Sequence, residues 1–297
     1  MNRPIYKFKK WIDLDKLDYK FLSKNPNAID YLNENIHKIN WCCLCVNPNP
    51  LAIEILEKNQ DKINWHYLSR NPNAISLLKR NPNKINFEEL SLNPNAIDIL
   101  EKNQDKINWY LLSKNPGAIK ILEKNQDKIY WSQLSCNPNA IDLLEKNQDK
   151  IDWYRLSNNH NAIDLIEKNL NKINSEIMLG LNTNPKALKL LKINKFLYWD
   201  ILCYNQNAIE LIKKNQNKIN WSILSLNPNA IEILEKNIDK VNWSEISSNP
   251  SIFELDYIKM RKNFENLEEE IIKEVMKPSR IIKNLELYNY DIDDMFD

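Results

Sequence analysis

Eight of the nine tryptophans in this chain fall in one register, at Trp41, Trp65, Trp109, Trp131, Trp153, Trp199, Trp221 and Trp243. Most neighbours are 22 residues apart, or 44 where another residue fills the slot. Around each the same sentence recurs, close to Asp-Lys-Ile-Asn-Trp-x-x-Leu-Ser-x-Asn-Pro-Asn-Ala-Ile-x-Ile-Leu-Glu-Lys-Asn-Gln. A fixed period of this length marks a solenoid, whose repeats bury their apolar faces only against their neighbours. With the Trp slot as origin there are eleven repeats, starting at Tyr19, Trp41, Trp65, Phe87, Trp109, Trp131, Trp153, Ser175, Trp199, Trp221 and Trp243. Two spacings are 24 residues. One holds an insertion near Pro50 and Leu51; the other surrounds Gly180 to Pro185, where a bend or small loop is expected.

Each repeat reads as two short helices. The A helix starts at Asn-Pro-Asn, as in Asn93-Pro94-Asn95, with Asn as N-cap and Pro at the first helical position. Ala96, Ile97, Ile99 and Leu100 form its apolar stripe, and Asn103 suits a left-handed C-terminal residue. Acid-before-base pairs four apart are expected to close on its outer face: Asp98–Lys102, Asp142–Lys146, Asp164–Lys168, Glu54–Lys58, Glu210–Lys214 and Glu232–Lys236. The B helix begins at the Asn or Asp before the Trp and is expected to bury residues such as Ile107, Trp109 and Leu112, with Trp131 likewise buried between repeats. Helices this short are marginal alone, so stacking must stabilise them.

The expectation is an all-α fold, an elongated α-solenoid of about eleven 22-residue two-helix repeats spanning on the order of 100 Å. Residues 1–18 read as an N-terminal cap, 19–250 as the repeat solenoid, and 251–297 as C-terminal capping helices and an acidic tail. Within the last segment, residues 264–277 read as an amphipathic helix (Phe264, Leu267, Ile271, Ile272, Val275), followed by a second helix over 279–287 and by Asp291, Asp293, Asp294 and Asp297. Polar terminal covers keep an open solenoid from aggregating end to end.

Composition removes several function classes. Lys plus Arg number 41 and Asp plus Glu 40, a net charge of +1, without the basic excess of a nucleic-acid backbone binder. Two glycines, Gly117 and Gly180, cannot write a phosphate-cradling loop. No apolar run is long enough to span a bilayer, and Met1 to Lys10 lacks a signal-peptide core, so the chain is expected not to be secreted and not to enter a membrane. Five cysteines fit a reducing compartment.

Asn93 to Glu101 followed by Asp105 to Ser113 resembles the short Asn-Pro-rich repeat arrays of giant DNA viruses of the mimivirus type, and Lys277 to Arg280 with Tyr288 to Ile292 resembles how such arrays close. The resemblance covers nearly the whole chain. It implies a viral protein of host cytoplasm or a viral factory, and it brings no catalytic residues.

Nothing in the repeat converges on chemistry. Cys42, Cys43 and Cys45 are soft ligands within four residues, but without a second Cys/His pair at zinc-finger spacing they read as packing residues. His66 and His160 are isolated. The recurrent Ser69, Ser91, Ser113, Ser135 and Ser157 read as small residues in a tight interhelix turn, and the row Asn71, Asn93, Asn115, Asn137 as amides satisfying loop backbone. The expectation is a protein without catalytic residues, cofactor or metal.

The variable positions lie one, two and five residues after the Trp slot. They form an expected partner-binding strip on the B helices, with Tyr67, Arg70, Tyr110, Lys114, Tyr154 and Arg155 as candidate contacts. The reading is a non-catalytic protein–protein interaction scaffold whose partner is viral or host protein, with a second copy of the chain also open to it. The alternative is a structural component of virion or viral factory. Nucleic acid ranks last, because Glu88, Glu89, Leu111 and Ile223 interrupt the strip.

Overall fold

The computed structural model describes residues 3–194, 197–277 and 279–280. The protein is an all-α solenoid-like repeat assembly in which short helices alternate along the chain. Two compact bodies are present: Lys9–Ile252, which holds the eleven repeats, and a smaller one made of Met1–Phe8 with Phe253–Asp297.

The local rules hold in the repeats. Asn115 accepts a hydrogen bond from Gly117 N at 2.9 Å and so caps the turn Pro116–Ala118, which leads into the A helix Ile119–Lys124. Asn108 accepts from Leu111 N at 3.1 Å and caps the B helix Trp109–Ser113. Ala96, Leu100 and Leu112 are fully buried and Ile107 nearly so. Asn103 departs from expectation: at φ −134°, ψ 50° it is not left-handed. Its side chain ends the helix instead, donating Nδ2 to Ile99 O at 2.9 Å, and the chain passes into the turn Gln104–Lys106.

Three hydrogen-bond rows join most repeats to the one before them; Gly117, Lys186 and Ser251 stand where the second row has Asn. In the first, the buried Asn of the Asn-Pro-Asn turn donates both amide hydrogens backwards: Asn115 Nδ2 reaches Ser91 O at 2.9 Å and Asn93 O at 3.0 Å. In the second, the other Asn of the turn reaches a proline carbonyl, as Asn95 Nδ2 to Pro72 O at 3.0 Å. In the third, the Ser hydroxyl donates to the carbonyl four residues earlier and accepts the capping N–H of the next repeat: Ser91 Oγ to Phe87 O at 2.8 Å, and Asn108 N to Ser91 Oγ at 3.1 Å. Reading Ser as merely small missed this relay. A fourth row is electrostatic. In most repeats the Lys of the linker segment lies over the aromatic ring of the preceding repeat, as Lys128 over Trp109 at 4.6 Å and Lys150 over Trp131 at 4.5 Å.

Those Lys stems explain a correction. Trp131 and its counterparts are half-buried, not buried, and most of these rings, like Trp131 under Lys150, have an ammonium group over one face. The six A-helix pairs four apart also fail to close among the described residues. Charges reach the neighbouring repeat instead, as Lys168 to Glu145 at 3.4 Å, or three residues back, as Lys213 to Glu210 at 2.9 Å. In the repeat starting at Phe87 the A helix ends at Glu101, so Lys102 is already its cap.

The repeats do not form the elongated stack expected from their period. Repeat 1 makes to repeat 11 the contacts that most repeats make to their predecessors. Asn25 Nδ2 reaches Ser247 O at 3.0 Å and Asn249 O at 2.9 Å, and Asn27 Nδ2 reaches Pro250 O at 3.0 Å. Asp18 N donates to Ser247 Oγ at 2.9 Å, and Lys16 lies over Trp243 at 5.3 Å. The body Lys9–Ile252 is therefore a closed ring, each repeat turning the stack by about 33°. The stack of order 100 Å is a circumference, not a length. One amide spans adjacent Asn-Pro-Asn turns, whereas long ionic side chains span adjacent A helices, so the turns approach one another more closely than the A helices do. At Gly117 the approach is tight, since a Cβ there would meet Pro94 O at 2.3 Å, although most other turns carry Asn at this position.

Both insertions are absorbed without breaking the stack. The first lengthens one A helix to Leu51–Lys58. The second lengthens one B helix to Ser175–Leu181, and Asn182 then takes over the Ser relay, accepting from Tyr198 N at 3.0 Å and donating to Met178 O at 2.8 Å. The inward row is weakest at this repeat, where Asn184 Nδ2 stands 3.4 Å from Asn159 O.

In the smaller body, strand β1 (Tyr6–Phe8) pairs antiparallel with β2 (Phe253–Leu255), with Lys7 opposite Glu254 and the Phe8 and Phe253 rings 4.3 Å apart. A helix, Tyr257–Val275, follows, capped by Asp256; the amphipathic helix expected from residue 264 starts seven residues earlier. The second helix and acidic tail expected beyond it lie outside the described residues, apart from Ser279 and Arg280.

Closure makes a specific demand on stability. In an open array Asn25 would face solvent and its loss would matter little. In the ring, Asn25→Ala strands two buried carbonyls, as Asn115→Ala does, and each variant should lose about 2–4 kcal/mol. Urea denaturation checks this; a cost at Asn25 far below that at Asn115 would mean the ring is open.

Candidate interaction surface

The variable positions one, two and five residues after the Trp slot do share one side of the B helices, which pack directly on one another around the ring. They are not uniformly exposed. Tyr67 and Tyr110 are each 43% exposed and Tyr154 51%, and Arg70 and Lys114 are exposed, but Arg155 is half-buried and Gln133 is buried. Gln133 Nε2 donates to Tyr110 Oη at 2.6 Å, while the Tyr110 ring meets Tyr130 edge-on at 5.4 Å. Arg155 stays within its own repeat, its Nε 3.6 Å from Asp152. Tyr110 and Arg155 are thus partly committed to structure.

The candidates divide between separate places. Tyr67 and Arg70 line a cavity of about 700 Å³ that spans repeats 1 to 4, with Lys20, Lys24, Cys42 and Glu89 also on its wall. Tyr110 borders a second hollow beside Glu88, Trp109 and Tyr130. Tyr154 and Lys114 line neither. Sequence reasoning missed Lys20 and Lys24, although they occupy in repeat 1 the slots that Tyr110 and Lys114 occupy in repeat 5.

The electrostatics of the first cavity are one-sided. Among the described residues no carboxylate lies within ion-pair distance of Lys20, Lys24 or Arg70. Lys24 rests on the Phe21 ring at 5.6 Å. Glu89 is faced by His66 Nε2 at 3.7 Å, and His66 meets Tyr67 edge-on at 5.2 Å, which steadies the Tyr67 ring as a ledge. Beside the same B helices, burial works to raise the Tyr19 hydroxyl, but hydrogen bonds from Lys38 (2.9 Å) and Tyr31 (3.2 Å) outweigh it and hold Tyr19 below its ordinary range.

The cysteines separate by environment. Cys42 is exposed; Cys43, Cys45 and Cys203 are buried and Cys136 is half-buried. Cys45 and Cys203 stand in the Ser slot and do the relay with sulfur: Cys203 Sγ donates to Trp199 O at 3.2 Å, and the Asn64 N–H approaches the Cys45 thiol. Burial pushes Cys45 up to about 11 and raises Cys43, Cys136 and Cys203 as well. Among the described residues no group of three or more His, Cys, Asp or Glu is placed to hold a metal ion, and no helix is long and apolar enough to cross a membrane.

Ring and surface together define a closed α-solenoid with a basic, aromatic groove on its B-helix side. Comparison with family models, curated proteins and solved structures finds no match.

The thiols give a pH prediction. The folded state keeps Cys45 protonated to about 11, whereas the unfolded thiol ionises near ~8.5. Its contribution to stability is thus complete below the unfolded value and is lost as pH rises through that window. Cys45→Ser should flatten the alkaline fall in urea midpoint between about pH 8.5 and 11. At neutral pH native alkylation should mark Cys42 first, and rapid labelling of Cys45 would contradict its burial.

Proposed function

We propose that the chain is a non-catalytic ring scaffold that binds a protein partner along the B-helix side, with the cavity over repeats 1 to 4 as the principal contact. The carrying observation is that Lys20, Lys24 and Arg70 line one cavity without an acidic partner among the described residues, beside the Tyr67 ledge. Such a surface favours an acidic segment: the cations meet carboxylates, and the half-exposed ring supplies rigid contact area. A net charge of +1 spread over the whole chain argues against nucleic acid as the partner. The resemblance to giant-virus repeat arrays favours a viral protein in host cytoplasm or a viral factory.

Affinity purification with quantitative mass spectrometry tests this. Lys20→Glu/Lys24→Glu/Arg70→Glu should cut recovery of the specific partner at least tenfold. Tyr67→Ala/Arg70→Ala/Tyr154→Ala, which spares the structural Tyr110 and Arg155, should weaken it while changing stability by no more than about 0.5 kcal/mol per site. Equal recovery with the charge-reversed protein would move the contact off this cavity. No partner enriched by the intact protein over empty resin would defeat the scaffold reading itself.

A further inference from the structure

The helix Tyr257–Val275 is the longest in the molecule's described residues, and several of its large apolar side chains are exposed. Ile258 is 78% exposed, Phe264 55%, Ile271 53% and Ile272 54%. In the repeats, by contrast, helix residues such as Leu100, Leu112 and Leu122 are fully buried. An isolated helix of this length is marginal in water, and most helical stability in proteins comes from packing an apolar face. The capping by Asp256 and the pairs Arg261–Glu265 (2.9 Å) and Lys273–Glu269 (3.6 Å) are exposed and weak. Something of matching shape is needed over Met260, Phe264 and Ile271, which recur at the four-and-seven spacing of a two-helix seam.

Charge identifies the occupant. The first half of the helix carries Lys259, Arg261 and Lys262 against Glu265 alone. The second half carries Glu268, Glu269, Glu270 and Glu274 against Lys273 alone. A second copy laid parallel would set acid on acid and base on base. Laid antiparallel, it sets each basic half on an acidic half twice over, and brings Met260 of one copy to Ile271 of the other.

We propose that this helix is a self-association surface, on which the helix of a second copy of the chain packs antiparallel to form a dimer of rings. The two-fold axis passes near the middle of the helix, so one contact serves both copies and the assembly stops at two. Arg261 of each copy then faces Glu268 of its partner. This does not depend on what the B-helix groove binds.

Sedimentation equilibrium of the full chain, with near-ultraviolet circular dichroism to follow the tryptophan-rich ring, tests the proposal. Dimers should form at micromolar concentration, and Phe264→Glu/Ile271→Glu should be monomeric with an unchanged ring signal. Arg261→Glu/Lys262→Glu, which removes the charge match and leaves the apolar stripe, should weaken the dimer at least tenfold. In a Cys42→Ser background, Arg261→Cys and Glu268→Cys chains should crosslink with each other and not with themselves. A monomer at all concentrations, a dimer that survives the Phe264/Ile271 change, or self-crosslinking of either cysteine variant would overturn it.

Discussion

A buried asparagine amide bridging adjacent repeats sets the geometry on which the rest of the ring depends. Asn115 is 1% exposed and has three polar obligations. Its two amide hydrogens go to the Ser91 and Asn93 carbonyls of the preceding repeat, and its oxygen takes the Gly117 N–H of its own turn. Few other side chains could do this. Asp lacks the donors, Gln is one methylene too long for so close a turn, and Ser has one hydrogen. Unpaired buried carbonyls are costly, so a position that satisfies two at once fixes both the spacing and the direction of stacking. Because the donor always points to the preceding repeat, the interface is head-to-tail. Head-to-tail interfaces generate either open filaments or closed rings, depending only on whether the rotation per repeat divides the circle.

Here it does, and closure changes the energetic problem of a repeat protein. An open array has two end repeats with one neighbour each and must cover their outer faces. In this ring the first and last repeats cover one another, so Ser247, Asn249 and Asn25 are as buried as their central counterparts. Among the described residues the stack is loosest at repeat 8, where Ser175 offers no aromatic ring and the Asn184 amide is 3.4 Å from its carbonyl. Gly180 belongs to the same repair: a Cβ there would lie 2.0 Å from Ser157 Oγ, so the longer B helix fits only without one.

Much of the repeat was legible in the residues themselves. The caps at Asn108 and Asn115, the buried Ala96 and Leu112, and the structural asparagine row follow from residue type and spacing. Closure was not, because the sentence of a repeat is the same in a straight stack and a curved one. Curvature arises from a small difference in spacing between the turns and the A helices, which no single residue encodes. One signal was present. The segment Asp15-Lys16-Leu17-Asp18 before Tyr19 is a full copy of the inter-repeat linker, and Asn249 and Pro250 repeat the turn, so both ends keep contact residues that a free end would not use. The binding strip was legible as a set of positions but not as a site. Burial of Gln133 and the commitments of Tyr110 and Arg155 depend on neighbours one repeat away, as does the meeting of Lys20, Lys24 and Arg70.

The hydrogen bond from Lys9 N to Ile252 O, at 2.9 Å, places the entry and exit of the ring side by side. Covalent order along the backbone is therefore nearly independent of spatial order around the circle. Joining these points with a short linker and cutting at an exposed linker turn, such as Gln148-Asp149-Lys150, would give a permuted chain with the same eleven neighbours in the same sequence. Adding or deleting one repeat would not be so mild, because ten or twelve must share the same full circle at a different angle. A ring of this kind can drift residue by residue, yet its number of repeats is held fixed by geometry, whereas an open array can gain or lose them one at a time.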